Sequence, residues 1–175
     1  MGEIKKTPVV KLFIGFIFKE EQVYNKAKAV LENKFGKADF ESRIINFTHT
    51  NYYENELGSN LKKRFISFKK LIPADKLARI KVFTNKLEKK FSKNAKRLIN
   101  IDPGYIDLPK VVLASAKDFS HRIYLEKGIF AEITLLYQNS AFRHLDWTFP
   151  DFRTQTYFQI LNQIREIFQK QLKDE

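Results

Sequence analysis

The chain has 175 residues and is 43% hydrophobic and 14% aromatic, enough for one domain with a sizeable core. Six Gly and five Pro exclude collagen-like and low-complexity classes, and the absence of Cys excludes disulfides, thiolate metal sites and cysteine nucleophiles. The net charge is +12, and it is uneven: residues 1–58 hold 9 basic and 8 acidic side chains, residues 59–97 hold 14 and 2, and residues 98–175 hold 9 and 10.

Val9–Phe18 predicts a buried strand, rich in β-branched and aromatic residues. Lys5 and Lys6 precede this apolar stretch as in a secretory leader, but Lys11 interrupts it and no small-residue cleavage site follows. No run approaches the roughly 20 apolar residues of a membrane span. The expectation is a cytoplasmic protein. Glu20–Phe35 predicts a helix with Val23, Tyr24, Ala27, Val30, Leu31 and Phe35 as its apolar face and Gly36 as its stop. Phe40–Phe47 predicts a second strand, Thr48–Asn60 a polar loop, and Phe65–Leu71 a third strand.

Pro73 opens a second helix whose stripe is Leu77, Ile80, Phe83, Leu87 and Phe91. Arg97–Ile101 predicts a fourth strand ending at an Asp102-Pro103-Gly104 turn. Asp107 and Pro109 then suit the start of a short helix through Val111–Ala116. His121–Leu125 and Ile129–Tyr137 predict a hairpin turning at Glu126-Lys127-Gly128, and Thr154–Leu172 a final helix. The expected fold is α+β: a ferredoxin-like split βαββαβ core extended by a short helix, a β-hairpin and a C-terminal helix, all in a single domain over 1–175.

Several short motifs occur in order: Lys11-Leu-Phe-Ile-Gly15, Thr50-Asn-Tyr-Tyr-Glu54, Phe83-Thr-Asn-Lys-Leu-Glu88 and Asn100-Ile-Asp-Pro-Gly-Tyr105. Leu113-Ala-Ser-Ala-Lys-Asp118, Ser120-His-Arg-Ile-Tyr124, Gly128-Ile-Phe-Ala-Glu-Ile-Thr134 and Trp147-Thr-Phe-Pro-Asp-Phe-Arg153 follow. Together, from about Pro8 to Leu172, they resemble the bacterial family called domain of unknown function 4416. The resemblance implies no established activity and no agreed catalytic residues, although some members carry the label "GTP-binding protein". The residues do not supply a P-loop: no G-x-x-x-x-G-K-[ST] string exists to cradle phosphates. Asn85-Lys86-Leu87-Glu88 is only faintly like the guanine-reading element of GTPases, and it falls inside a predicted amphipathic helix.

The charge excess has a shape. Arg79, Lys86, Lys89, Lys90 and Lys93 fall within an arc of roughly 100° beside the apolar stripe, at about 100° per residue. Lys62, Lys63 and Arg64, with Lys69 and Lys70, lie just before it. Such a ridge suits a polyanion, which makes RNA or a nucleotide the candidate partner, although a lysine-rich helix face is also what a solvated surface looks like. A second candidate site gathers Asp102, Asp118, His121, Arg122 and Glu132, if the hairpin packs beside the fourth strand. Carboxylates with an imidazole suit a divalent metal or general acid–base work on a phosphorylated substrate. Each also has a plain structural use: Asp102 in a turn, Glu132 on an open sheet face. Tyr52, Tyr53 and Trp147 are candidate ligand-wall aromatics. Three functions stand open: a binding module for an anionic ligand, a metal-assisted enzyme, and an interaction or scaffold protein without a small ligand.

Overall fold

The computed structural model describes residues 2–50 and 52–174. Asn51, within one of the motifs above, lies outside the described residues. The first half runs β1 Val9–Phe18, α1 Glu21–Phe35, β2 Ala38–Glu41, β3 Ile45–Asn46, α2 Glu54–Leu57, β4 Lys62–Phe68, β5 Ile72–Pro73 and α3 Leu77–Lys90. The second runs β6 Ser92–Lys93, β7 Lys96–Arg97, β8 Ile99–Asp107, β9 Lys110–Ser115, β10 Ile123–Glu126, β11 Ile129–Gln138, β12 Ala141–His144 and α4 Gln155–Asp174. This is the expected α+β class. No helix among the described residues is long and apolar enough to cross a membrane.

The sheet follows the path β10-β11-β9-β8-β1-β4-β2, with antiparallel neighbours throughout. β1 is central, between β8 and β4, and is buried on both faces. Val10, Leu12, Ile14, Phe16 and Phe18 pack towards Tyr24, Ala27 and Leu31 of α1 and Ile80 and Leu87 of α3. Phe13 points the other way, into a core with Tyr157, Leu161 and Ile164 of α4. Burial on both faces explains why β1 reads as an unbroken apolar run rather than an alternating one. A small β6–β7 hairpin stands apart from the main sheet.

Two expectations fail between residues 102 and 116. Asp102-Pro103-Gly104 is not a turn, because β8 continues through it to Asp107. The short helix at Val111–Ala116 does not form, because those residues belong to β9. The chain reverses instead at Leu108-Pro109, with Asp107 opposite Lys110. The Asp107 carboxylate accepts from Leu108 N at 2.8 Å, so it caps a strand turn rather than a helix. Val111 and Val112, buried on opposite faces, are better strand residues than helix residues. Pro103 fits because pairing with β9 begins only at Gly104. Ile101, two residues before it, turns its backbone away from β1, and by strand alternation so does Pro103. The missing proline N–H therefore falls where the ladder has ended.

Gly104 sits where three groups converge. An added Cβ would lie 2.6 Å from Val112 O and 2.8 Å from both Leu113 Cδ2 and Phe13 Cζ. Val112 O is ladder backbone and cannot swing aside. Gly104→Ala is expected to destabilise the protein by about 1–3 kcal/mol, the usual cost of overpacking, read as a lower denaturant midpoint at unchanged slope.

Candidate functional site: a cationic cavity at a fork in the sheet

β8 and β9 pair only over residues 104–107 and 110–113. β9 then follows β11, with Ala114 opposite Ala131 and Ser115 opposite Phe130. The stretch of β8 before Gly104 is left without a neighbour on that side. Two side chains of α3 replace the missing strand: Glu88 Oε1 accepts from Ile101 N at 2.6 Å, and Lys81 Nζ donates to Ile101 O at 3.3 Å. Both are buried, at one helix spacing of seven residues.

A hydrogen-bonded chain extends from this pair. Lys81 Nζ donates to Asp102 Oδ1 at 3.0 Å, and Asn100 Nδ2 donates to Asp102 Oδ2 at 2.6 Å. Arg97 Nη1 donates to Asn100 Oδ1 at 3.0 Å and to Glu88 Oε2 at 2.8 Å. Arg97 also clasps Glu56 of α2 with Nε at 2.7 Å and Nη2 at 2.6 Å. Burial pushes the Glu88 carboxyl above its ordinary range, with Lys81 opposing the shift. Burial would raise Asp102 too, but the Lys81 and Lys63 ammonium groups outweigh it and hold Asp102 below the usual carboxylate range.

Where the strands part, a cavity of about 770 Å³ opens, within the roughly 300–1,000 Å³ of small-molecule sites. Leu113 to Lys117 form one wall, Asn100 and Asp102 the opposite one, and Thr50, Tyr52 and Tyr53 overhang it. Six cationic side chains line it (Lys63, Lys81, Lys89, Arg97, Lys117 and Arg122) against four carboxylates (Glu88, Asp102, Glu132 and Asp151).

Lys63 differs from the rest. It points inward from β4 and its side chain is 2% exposed. It lies across Gly15, whose added Cβ would meet Lys63 Cε and Nζ at 3.3 Å. The rings of Phe65, Phe152, Phe47 and Tyr157 surround its ammonium at 5.2, 5.6, 5.9 and 5.9 Å. Its nearest carboxylate oxygen, Asp151 Oδ2, is 3.9 Å away, and it makes no hydrogen bond among the described residues. Tyr53 stands nearby. Burial, reinforced by Asp102 and Asp151, raises its phenol well above the ordinary value, so it remains a proton donor.

Of the second predicted cluster, Asp102, Arg122 and Glu132 line the cavity. Glu132 is not on an open face: it is 1% exposed, with Oε2 taking His121 Nε2 at 3.0 Å and Arg122 Nε at 2.9 Å. Arg122 Nη1 also donates to Lys117 O at 2.9 Å. His121 stands behind Glu132, stacked on Trp147 at 5.2 Å, and Trp147 Nε1 donates to Ile133 O at 2.8 Å. Asp118 is exposed and outside the cavity. No three His, Asp or Glu side chains gather as a metal site among the described residues.

The predicted ridge divides. Lys62 pairs with Glu21 at 3.0 Å, Arg64 with Glu41 at 3.1 Å and Arg79 with Glu126 at 3.0 Å, while Lys63 lies inside the cavity. Lys86, Lys89, Lys90 and Lys93 are exposed, with no ion pair among the described residues. Lys81, Glu88, Asn100 and Lys117 were not singled out from sequence. The readable signal was a polar line, Lys81, Thr84 and Glu88, on a face the helix buries.

Asp102→Asn removes the carboxylate that Lys81 donates to and that also feels the Lys63 charge. The variant is expected to lose about 1–3 kcal/mol at pH 7, the usual cost of removing a charged hydrogen-bond partner from a part-buried site. Because the folded pKa of Asp102 lies below its unfolded value, this contribution is present above the unfolded pKa and lost as pH falls through the folded one. Urea titrations of both proteins should therefore converge on acidification.

No curated protein and no solved structure matches the chain. A family model does match, over residues 8–168, and the motifs that build the fork, from Asn100 through Ser115, lie within that span. The chain belongs to the family described as domain of unknown function (DUF4416).

Proposed function

We propose that this protein is a binding module for a small phosphate-bearing ligand of nucleotide size, held in the cavity where β8 and β9 part. The observation that carries the reading is Lys63: a side chain 2% exposed that lines the cavity, its ammonium facing Asp151 at 3.9 Å with no hydrogen-bond acceptor of its own among the described residues. Burying a charge without hydrogen-bonded partners is costly, and a ligand phosphate supplies both charge and acceptors. Lys117 and Arg122 flank the opening, and the Arg122 fork is already oriented by Glu132 and by Lys117 O. Tyr53 adds a phenolic donor, and Tyr52 and Phe149 offer ring faces for a base or sugar.

A second reading, an enzyme acting on a phosphorylated substrate, draws on Asp102, Arg122 and Glu132 lining the same cavity. Asp102 is ionised and faces two lysines, which suits holding a cation pair in place more than taking a proton.

Calorimetric titration with nucleoside mono-, di- and triphosphates and the parent nucleosides tests both readings. Phosphorylated compounds should bind at least about tenfold more tightly than nucleosides, and binding should weaken as salt rises. Lys63→Met should abolish most of that affinity while leaving the melting temperature unchanged or raised, since it removes a poorly compensated buried charge. Equal binding of nucleosides, or full affinity in Lys63→Met, contradicts the proposal. Steady release of phosphate by the native protein would favour the enzyme.

A further inference from the structure

The cavity does not end at its rim. Lys89 lines it and is also the first member of a lysine row on the surface. Lys86 and Lys90 share its helix face, and Lys93 and Lys96 continue the row on the β6–β7 hairpin. All five are exposed, with no carboxylate at ion-pair distance among the described residues. Elsewhere in the same segment Lys69 and Lys70 are likewise exposed and outside any ion pair among the described residues, whereas Lys62, Arg64, Lys76, Arg79, Lys81 and Arg97 are paired to carboxylates.

The helix macrodipole accounts for part of this row, because cations are favoured in a last helical turn. It covers Lys89 and Lys90. It does not extend to Lys93 and Lys96, which lie beyond α3 and sit directly opposite each other across the hairpin. Like charges in that position repel unless an anion lies between or along them. At the rim, Tyr52 is 63% exposed with Lys117 Nζ 4.8 Å from its ring, and Phe149 is 42% exposed with Arg122 5.9 Å from its ring. Exposed rings beside cations are the elements on which unpaired bases stack.

We infer that the ligand is the phosphorylated end of a single-stranded RNA, its terminal nucleotide in the cavity and its backbone crossing Lys86, Lys90, Lys93 and Lys96. This rests on the proposal that the cavity takes a phosphate, and extends it from a free nucleotide to a strand end. A duplex is disfavoured because its bases are already paired and stacked and do not present a lone terminal nucleotide.

The test uses fluorescence anisotropy with a ten-nucleotide RNA carrying a 5′-phosphate, a 3′-phosphate or neither, alongside calorimetry with a nucleoside monophosphate. The triple variant Lys86→Glu, Lys90→Glu, Lys93→Glu alters only surface lysines outside the cavity, and a thermal melt confirms its fold. It should weaken the phosphorylated strand by at least about tenfold and leave the mononucleotide within about twofold. The slope of log affinity against log salt should fall by about 2 at roughly 0.7 per neutralised phosphate. Lys63→Met should weaken both ligands and erase the preference for a phosphorylated end. If the triple variant binds the strand as the native protein does, the strand inference fails while the cavity reading stands. If the native protein binds the strand with no preference for a terminal phosphate, the inference fails. If neither ligand binds at low salt, both fail.

Discussion

Ile101 has a backbone N–H and C=O on the side of β8 where no strand lies, and Glu88 and Lys81 bond to them. An unpaired sheet edge in the interior would otherwise carry buried polar groups at a cost of several kcal/mol. Because a helix satisfies this edge, β9 is free to leave β8 after Leu113 and follow β11. The gap between the two strands becomes space instead of core. The same two side chains organise Asp102, Asn100 and Arg97, so the groups that hold the fork open also give it its electrostatic character.

The charge of the 59–97 segment reads differently in three dimensions. Its strand lysine, Lys63, turns inward over Gly15 and reaches the cavity through a ring of aromatic side chains. Its helix contributes Lys81 to the cavity floor and Lys89 to the rim. The lysines beyond remain on the surface. One stretch of chain therefore supplies an interior cationic site and an exterior cationic track, and Lys89 joins them. The exterior alone would be an ordinary solvated helix face. Continuity with a cavity holding an ammonium that has no hydrogen-bonded partner among the described residues distinguishes it.

Period and propensity made much of this fold legible. β1, α1, α3, the β10–β11 hairpin and α4 stand close to where the apolar spacing puts them. The failures share a cause. Asp102-Pro103-Gly104 and Asp107-Leu108-Pro109 carry strong local turn and cap signals, but tertiary placement decided both: Pro103 falls past a ladder end, and Gly104 is needed for close packing against Phe13 and Val112. Within the site, Glu132 was legible as a charged residue in an apolar strand, and Asp102 and Arg122 as charged residues at the predicted turn and the start of the predicted hairpin. Lys63 was legible only as charge, since its inward direction depends on Gly15 in a neighbouring strand. Lys81 and Glu88 were hidden because a polar pair seven residues apart in a lysine-rich helix looks like surface until the edge it caps is known.

The central claim is that phosphate enters at the fork. An amide-resolved NMR titration with inorganic pyrophosphate addresses it directly. The account predicts saturable shifts confined to the amides around Tyr53, Lys63, Asn100 to Asp102 and Leu113 to Lys117, with little change along Lys86 to Lys96 for so short an anion. Shifts restricted to the exterior lysines, or no saturable shift at the fork, would contradict it.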